Sequence, residues 1–101
     1  MNILEKANQI VNHRSDEKER MYGDFDKGME RAAAMLSSMT GETLDATFMY
    51  KAMIALKLSR ESFNHKEDNL LDAVAYIGAL NNFINNKTKQ NGNKKVQRNR
   101  S

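Results

Sequence analysis

Apolar residues recur along this chain at intervals of three and four, and the strict alternation of a half-buried strand is scarce. Ile3, Leu4, Ala7, Ile10 and Val11 predict a first helix over about 2–13. The following stretch, SDEKERMYGDFDKG, is charged and glycine-punctuated and reads as a connection. A second helix begins near Asp24 or Asp26, since either carboxylate can accept from exposed N–H groups at its start. It carries Phe25, Met29, Ala32, Ala33, Leu36 and Met39 on one face, and Gly41 stands where a helix end favours a positive φ. Thr43 and Asp45 are alternative caps for a third helix, with Leu44, Phe48, Ala52, Ala55, Leu56 and Phe63 expected to face inward. The segment SFNHKED breaks the period. A fourth helix then runs from about Glu67 to Asn86, striped by Leu70, Leu71, Val74, Ile77, Leu80, Phe83 and Ile84. No proline interrupts any of this.

Short connections between successive helices favour antiparallel neighbours, so the expectation is an all-α fold, a compact four-helix arrangement with helices three and four at its centre. The helical domain is assigned to 1–86 and a basic flexible tail to 87–101. The stretch FMYKAMIALKL is apolar on more than one face, which points to burial on two sides and to a homo-oligomer. Methionines filling gaps in a small core are the alternative explanation.

Charge divides the chain. The net charge is +3, yet all 13 acidic residues lie at or before Asp72. Residues 87–101 hold six Lys/Arg and no acid, so the high isoelectric point belongs to the C-terminus and the rest is mildly acidic. Such an end either binds a polyanion such as nucleic acid or is simply solvated. At 101 residues the chain is one small domain, a size at which self-association adds useful burial. The lack of cysteine excludes disulfides and thiolate zinc sites, and two histidines exclude a histidine-rich metal centre. The start, MNILEKANQIVNHR, does not read as a secretory leader, and no apolar run approaches the ~20 residues of a membrane helix. A cytoplasmic protein without membrane contact is expected.

Candidate chemistry gathers around the SFNHKED break. Lys57, Arg60 and Glu61 share a face of the third helix, and Asp68 and Asp72 lie one turn apart on the fourth, with Glu67 beside them. Two antiparallel helices bring these groups together. Paired carboxylates can share a Mg²⁺ ion, and Lys with Arg can meet phosphate oxygens. A salt-bridge network tying the two helices explains the same spacing. Tyr22-Gly23-Asp24 joins an aromatic, a flexible joint and a helix cap. Tyr22 can stack on a base with Arg14 or Arg20 near phosphate, or can cover the core while Gly23 makes a plain turn. Tyr76 follows Asp72 by one turn and is placed to hydrogen-bond it, while Tyr50 and Phe48 read as core or interface residues. There is no nucleophilic triad and no GxxxxGK[ST] loop, and helices three and four are too apolar for a DNA-recognition face.

Taken in order, ILEKANQIVNHR, RMYGDF, ERAAAMLSSMTG, MIALKLSRE and HKEDNLLDAVAYIGAL resemble a family of small, phage-encoded, uncharacterised all-α proteins. Its pattern is R…YGD, K-x-x-R and D-x-x-x-D-x-x-x-Y, over roughly residues 3–83. The resemblance extends distantly to MazG-like nucleotide pyrophosphatases. It implies Arg20, Tyr22, Gly23, Asp24, Lys57, Arg60 and Tyr76 as nucleotide-binding positions and Asp68 and Asp72 as metal ligands. MazG-type enzymes hold Mg²⁺ with an E-E-x-x-E cluster that this chain lacks; Lys57 and Arg60 stand where acids are expected. The resemblance therefore favours binding a nucleotide or cyclic nucleotide over hydrolysing it, with sequestration of a host signalling nucleotide as one form, and leaves a degenerate pyrophosphatase, its site shared across a dimer, as another. A module that binds and inhibits a host enzyme, its charged cluster purely structural, is the alternative.

Overall fold

The computed structural model describes residues 1–13 and 24–95. Within them lie four helices and no strand: α1 (Ile3–Asn12), α2 (Phe25–Thr40), α3 (Ala46–Phe63) and α4 (Glu67–Lys95). Each of the first three starts at a side chain that accepts an otherwise unsatisfied N–H. Asn2 accepts from the Glu5 N–H at 2.9 Å while Glu5 accepts from the Asn2 N–H at 2.8 Å, a reciprocal box. Asp24 accepts from Lys27 at 3.2 Å, and Asp45 from Phe48 at 2.9 Å. Of the alternative caps, Asp24 and Asp45 are the ones used. Gly41 ends α2 at φ 80°, and its N–H bonds the Ser37 carbonyl at 2.9 Å. Ser37 closes the turn into α3 by donating to the Ala33 carbonyl and accepting the Leu44 N–H, each at 2.8 Å.

The helices pack in the order α1, α4, α3, α2, so α4 is flanked by α1 and α3, and α2 leans on α3. The core lies where α2, α3 and α4 meet. Ala46, Tyr50, Ala79 and Phe83 are buried there, with Val11, Phe25, Met29, Tyr76 and Leu80 packed around them. Alanines at 46, 73, 75 and 79 let backbones approach, and the rings fill the space left. Tyr50 stands edge-on to Phe25, centroids 5.8 Å apart, and 5.7 Å from Phe83. At the other side Lys6 bonds Glu67 at 3.0 Å and Asn82 donates to Asn12 at 3.0 Å, tying α1 to α4.

Two expectations differ from this arrangement. Phe48, Ala55, Leu56 and Phe63 face outward, and the fully buried side chain of α3 is Tyr50. A helix apolar on several faces leaves the choice of buried face to its neighbours, and α2 and α4 select the series Ala46, Tyr50, Lys57, Glu61. Helix α4 continues to Lys95, past Asn86. Nothing in that stretch blocks propagation of a helix already nucleated, since it contains no proline and adding a residue costs far less than starting a turn.

Candidate functional site

Helices α3 and α4 run antiparallel across the 64–66 turn, and this turn is built around Glu61. One oxygen of Glu61 accepts the backbone N–H of Lys66 at 3.1 Å and the side-chain amide of Asn69 at 3.5 Å. The other accepts from Nδ1 of His65. The bond from His65 holds the Glu61 carboxyl below its ordinary range, against a smaller opposing effect of desolvation. Asn64 terminates α3, its N–H bonding the Arg60 carbonyl at 3.1 Å.

Outside this turn lies an open hollow of about 480 Å³ lined by Ser59, Arg60, Phe63, Asn64, Lys66 and Asn69. Phe63 is 93% exposed, so its ring has a free face. Among the described residues neither Arg60 nor Lys66 pairs with a carboxylate. The hollow thus offers a guanidinium fork, an ammonium, two amides, a hydroxyl and an unstacked ring. That set suits an anionic ligand with a flat apolar part.

Lys57 and Asp72 meet one turn further into the bundle at 3.1 Å. The Lys57 side chain is largely covered, 16% exposed, while Asp72 is 40% exposed. Asp68 is exposed in the first turn of α4. Among the described residues no three carboxylate or histidine side chains converge as a metal cluster. Tyr76 does not bond Asp72; its ring packs on Phe25 at 5.6 Å. Asp24 caps α2 beside that ring pair. The Tyr50 hydroxyl donates to Asp26. Burial first, then the bond to Asp26 and the negative charges of Asp26 and Asp24, push the Tyr50 hydroxyl far above its ordinary pKa.

The residues singled out in the sequence therefore fall into separate places. Lys57 and Asp72 touch each other. Arg60 faces the hollow. Asp24 and Tyr76 belong to the aromatic corner where α2 meets α3 and α4. Arg20, Tyr22 and Gly23 lie outside the described residues. Phe63, Lys66, Asn64 and Asn69 complete the hollow without having been singled out for it; the mixed aromatic, amide and cation content of SFNHKEDN is the one signal that could have found them.

No curated protein and no solved structure matches the chain. One family does, over residues 2–84, and the chain belongs to it: Domain of unknown function (DUF6378).

Proposed function

We propose that the protein binds a phosphate-bearing nucleotide at the α3–α4 turn. The observation that carries this is the hollow of about 480 Å³ on which Arg60, Lys66 and the exposed Phe63 ring converge. Arg60 takes phosphate oxygens as a fork and Lys66 as a point charge. Phe63 stacks on the base, an interaction worth about 1–3 kcal/mol where bases meet aromatic side chains. The volume lies within the roughly 300–1,000 Å³ of small-molecule sites. Lys57 braces α3 against α4 through Asp72 rather than reaching for phosphate.

The reading is one of binding without turnover. A Mg²⁺ ion held by Asp68 and Asp72 has to compete with Lys57 for the Asp72 carboxylate. Retention without cleavage is also what sequestration of a signalling nucleotide requires. Calorimetric titration with nucleoside mono-, di- and triphosphates and cyclic nucleotides tests it. Arg60→Ala and Lys66→Ala are expected to weaken binding about tenfold each, as lost charge-assisted bonds do. Absence of saturable heat up to about 1 mM ligand, where binding is worth only about 4 kcal/mol, refutes the reading. Release of phosphate or pyrophosphate from a bound triphosphate in Mg²⁺ refutes its second part.

A second reading rests on a different observation. Phe48 and Leu58 on α3, and Ile77 and Ile84 on α4, face outward. These faces suit association with a second copy of the chain, the Lys57–Asp72 pair then being structural only. Light scattering after size exclusion decides it: a dimer or larger species that Ile77→Ser with Ile84→Ser converts to monomer supports this reading, and a monomer at all concentrations refutes it.

A further inference from the structure

Asn69 gives the hollow a hydrogen-bonding polarity. Its side-chain nitrogen faces Oε1 of Glu61 at 3.5 Å and the carbonyl oxygen of Asn64 at 3.3 Å. Both are acceptors and neither can donate, because Glu61 is a carboxylate and the other group is backbone C=O. The amide NH₂ must therefore turn toward them, and both of its hydrogens are engaged. The reverse orientation sets three oxygens against one another. Glu61 is itself fixed by the Lys66 N–H at 3.1 Å and by His65, so it cannot swing away without opening the turn. The amide oxygen of Asn69 is the atom left to meet a ligand in the hollow that Asn69 lines.

We propose that Asn69, oriented by Glu61, selects a nucleobase with an amino group at purine C6 or pyrimidine C4, adenine or cytosine, over one with a carbonyl oxygen there, such as guanine or uracil. This deepens the nucleotide reading and rests on it. Arg60 and Lys66 bind phosphate whatever the base, and Phe63 stacks on any base. Only a fixed acceptor distinguishes an amino edge from a carbonyl edge. A carbonyl presented there meets another acceptor and both oxygens lose their partners.

The test compares ligands that differ at that edge. Adenosine monophosphate and purine riboside 5′-monophosphate share phosphate, ribose and ring system and differ by the 6-amino group. Cytidine and uridine monophosphates form a second pair. With the wild-type protein, the amino-bearing member of at least one pair is expected to bind about tenfold tighter by calorimetry, the worth of one well-made hydrogen bond. Asn69→Ala, checked for native helicity, is expected to erase that difference, leaving the affinity for purine riboside 5′-monophosphate nearly unchanged and raising that for uridine monophosphate, whose carbonyl no longer meets an acceptor. Equal affinities within both pairs overturn the proposal and leave the nucleotide site standing. Persistence of the preference in Asn69→Ala also overturns it. Failure of all four ligands to bind removes the nucleotide site and this inference together. The wild-type comparison needs no variant, so a misfolded Asn69→Ala does not protect the proposal.

Discussion

Tyr50→Phe isolates one bond in the corner that holds α2 on α3. The ring of Tyr50 is fully buried and keeps its contacts with Phe25 and Phe83 after the substitution. What disappears is the hydroxyl donating to Asp26. A hydrogen bond to a charged group contributes about 1.5–3 kcal/mol. Asp26 is only partly buried and recovers some hydration when its donor is gone. The expected loss is therefore at the lower end, about 1.5 kcal/mol. For a domain of this size, at about 4–8 °C per kcal/mol, the midpoint of thermal unfolding falls by about 6–12 °C. Circular dichroism melts at pH 7 measure this.

The pH dependence is a second, independent readout. In the folded protein the Tyr50 hydroxyl titrates far above its ordinary value, while in the unfolded chain it titrates near about 10. Below pH ~10 both states hold the proton and the full contribution is present. Above it, the unfolded chain loses the proton first, and wild-type stability falls by up to about 1.4 kcal/mol per pH unit from this group. Tyr50→Phe lacks that dependence, so its disadvantage shrinks between pH 10 and 11. Equal melting midpoints at pH 7, or parallel stability profiles through pH 11, refute the reasoning.

Lys57→Ala removes the cation from Asp72 and the covered stem that packs between α3 and α4. Because Asp72 is partly exposed, the ion pair itself contributes little, and a total loss of about 1 kcal/mol is expected in urea unfolding. Lys57→Met, which keeps the stem, should recover more than half of it, and neither variant should change nucleotide affinity as Arg60→Ala does. Gly41→Ala meets no steric obstacle, since a Cβ there has nothing within 4 Å. Its cost is conformational, about 1 kcal/mol for an L-residue held at φ 80°, and Gly41→Asn should cost less by the same urea measurement.

Helix starts were legible because they depend on one or two residues. A carboxylate at 24 or 45, or a glycine at 41, needs no knowledge of what packs nearby. The meeting of Lys57 with Asp72 was legible for a related reason: an antiparallel pair with a short turn leaves little choice about which turns face each other. The buried face of α3 was not. FMYKAMIALKL is apolar nearly all round, so periodicity alone does not separate Tyr50 from Phe48 or Leu56. The neighbours decide, and their positions are not local information. The same holds for the hollow. Arg60 was marked by its spacing from Lys57, yet Phe63 and Asn69 come to line the hollow only once the turn around Glu61 sets them beside it.

Polarity along α3 reverses toward its C-terminal end, and this reversal connects fold to function. Near its start the helix buries Ala46 and Tyr50 toward its neighbours, as a folding core requires. Two turns later the residues turned toward α4 are Lys57 and Glu61, while Leu58 and Phe63 point to solvent. A chain selected only for stability has every reason to exchange these positions, because an exposed phenylalanine gains nothing from solvent and a covered lysine loses hydration. The arrangement gives the turn a rigid polar framework, with Glu61 spanning residues 65 to 69, and leaves an aromatic ring and two cations outside it. Stability forgone at one end of an otherwise regular helix, together with the cations and free ring on its exposed side, is the physical ground for proposing a ligand there.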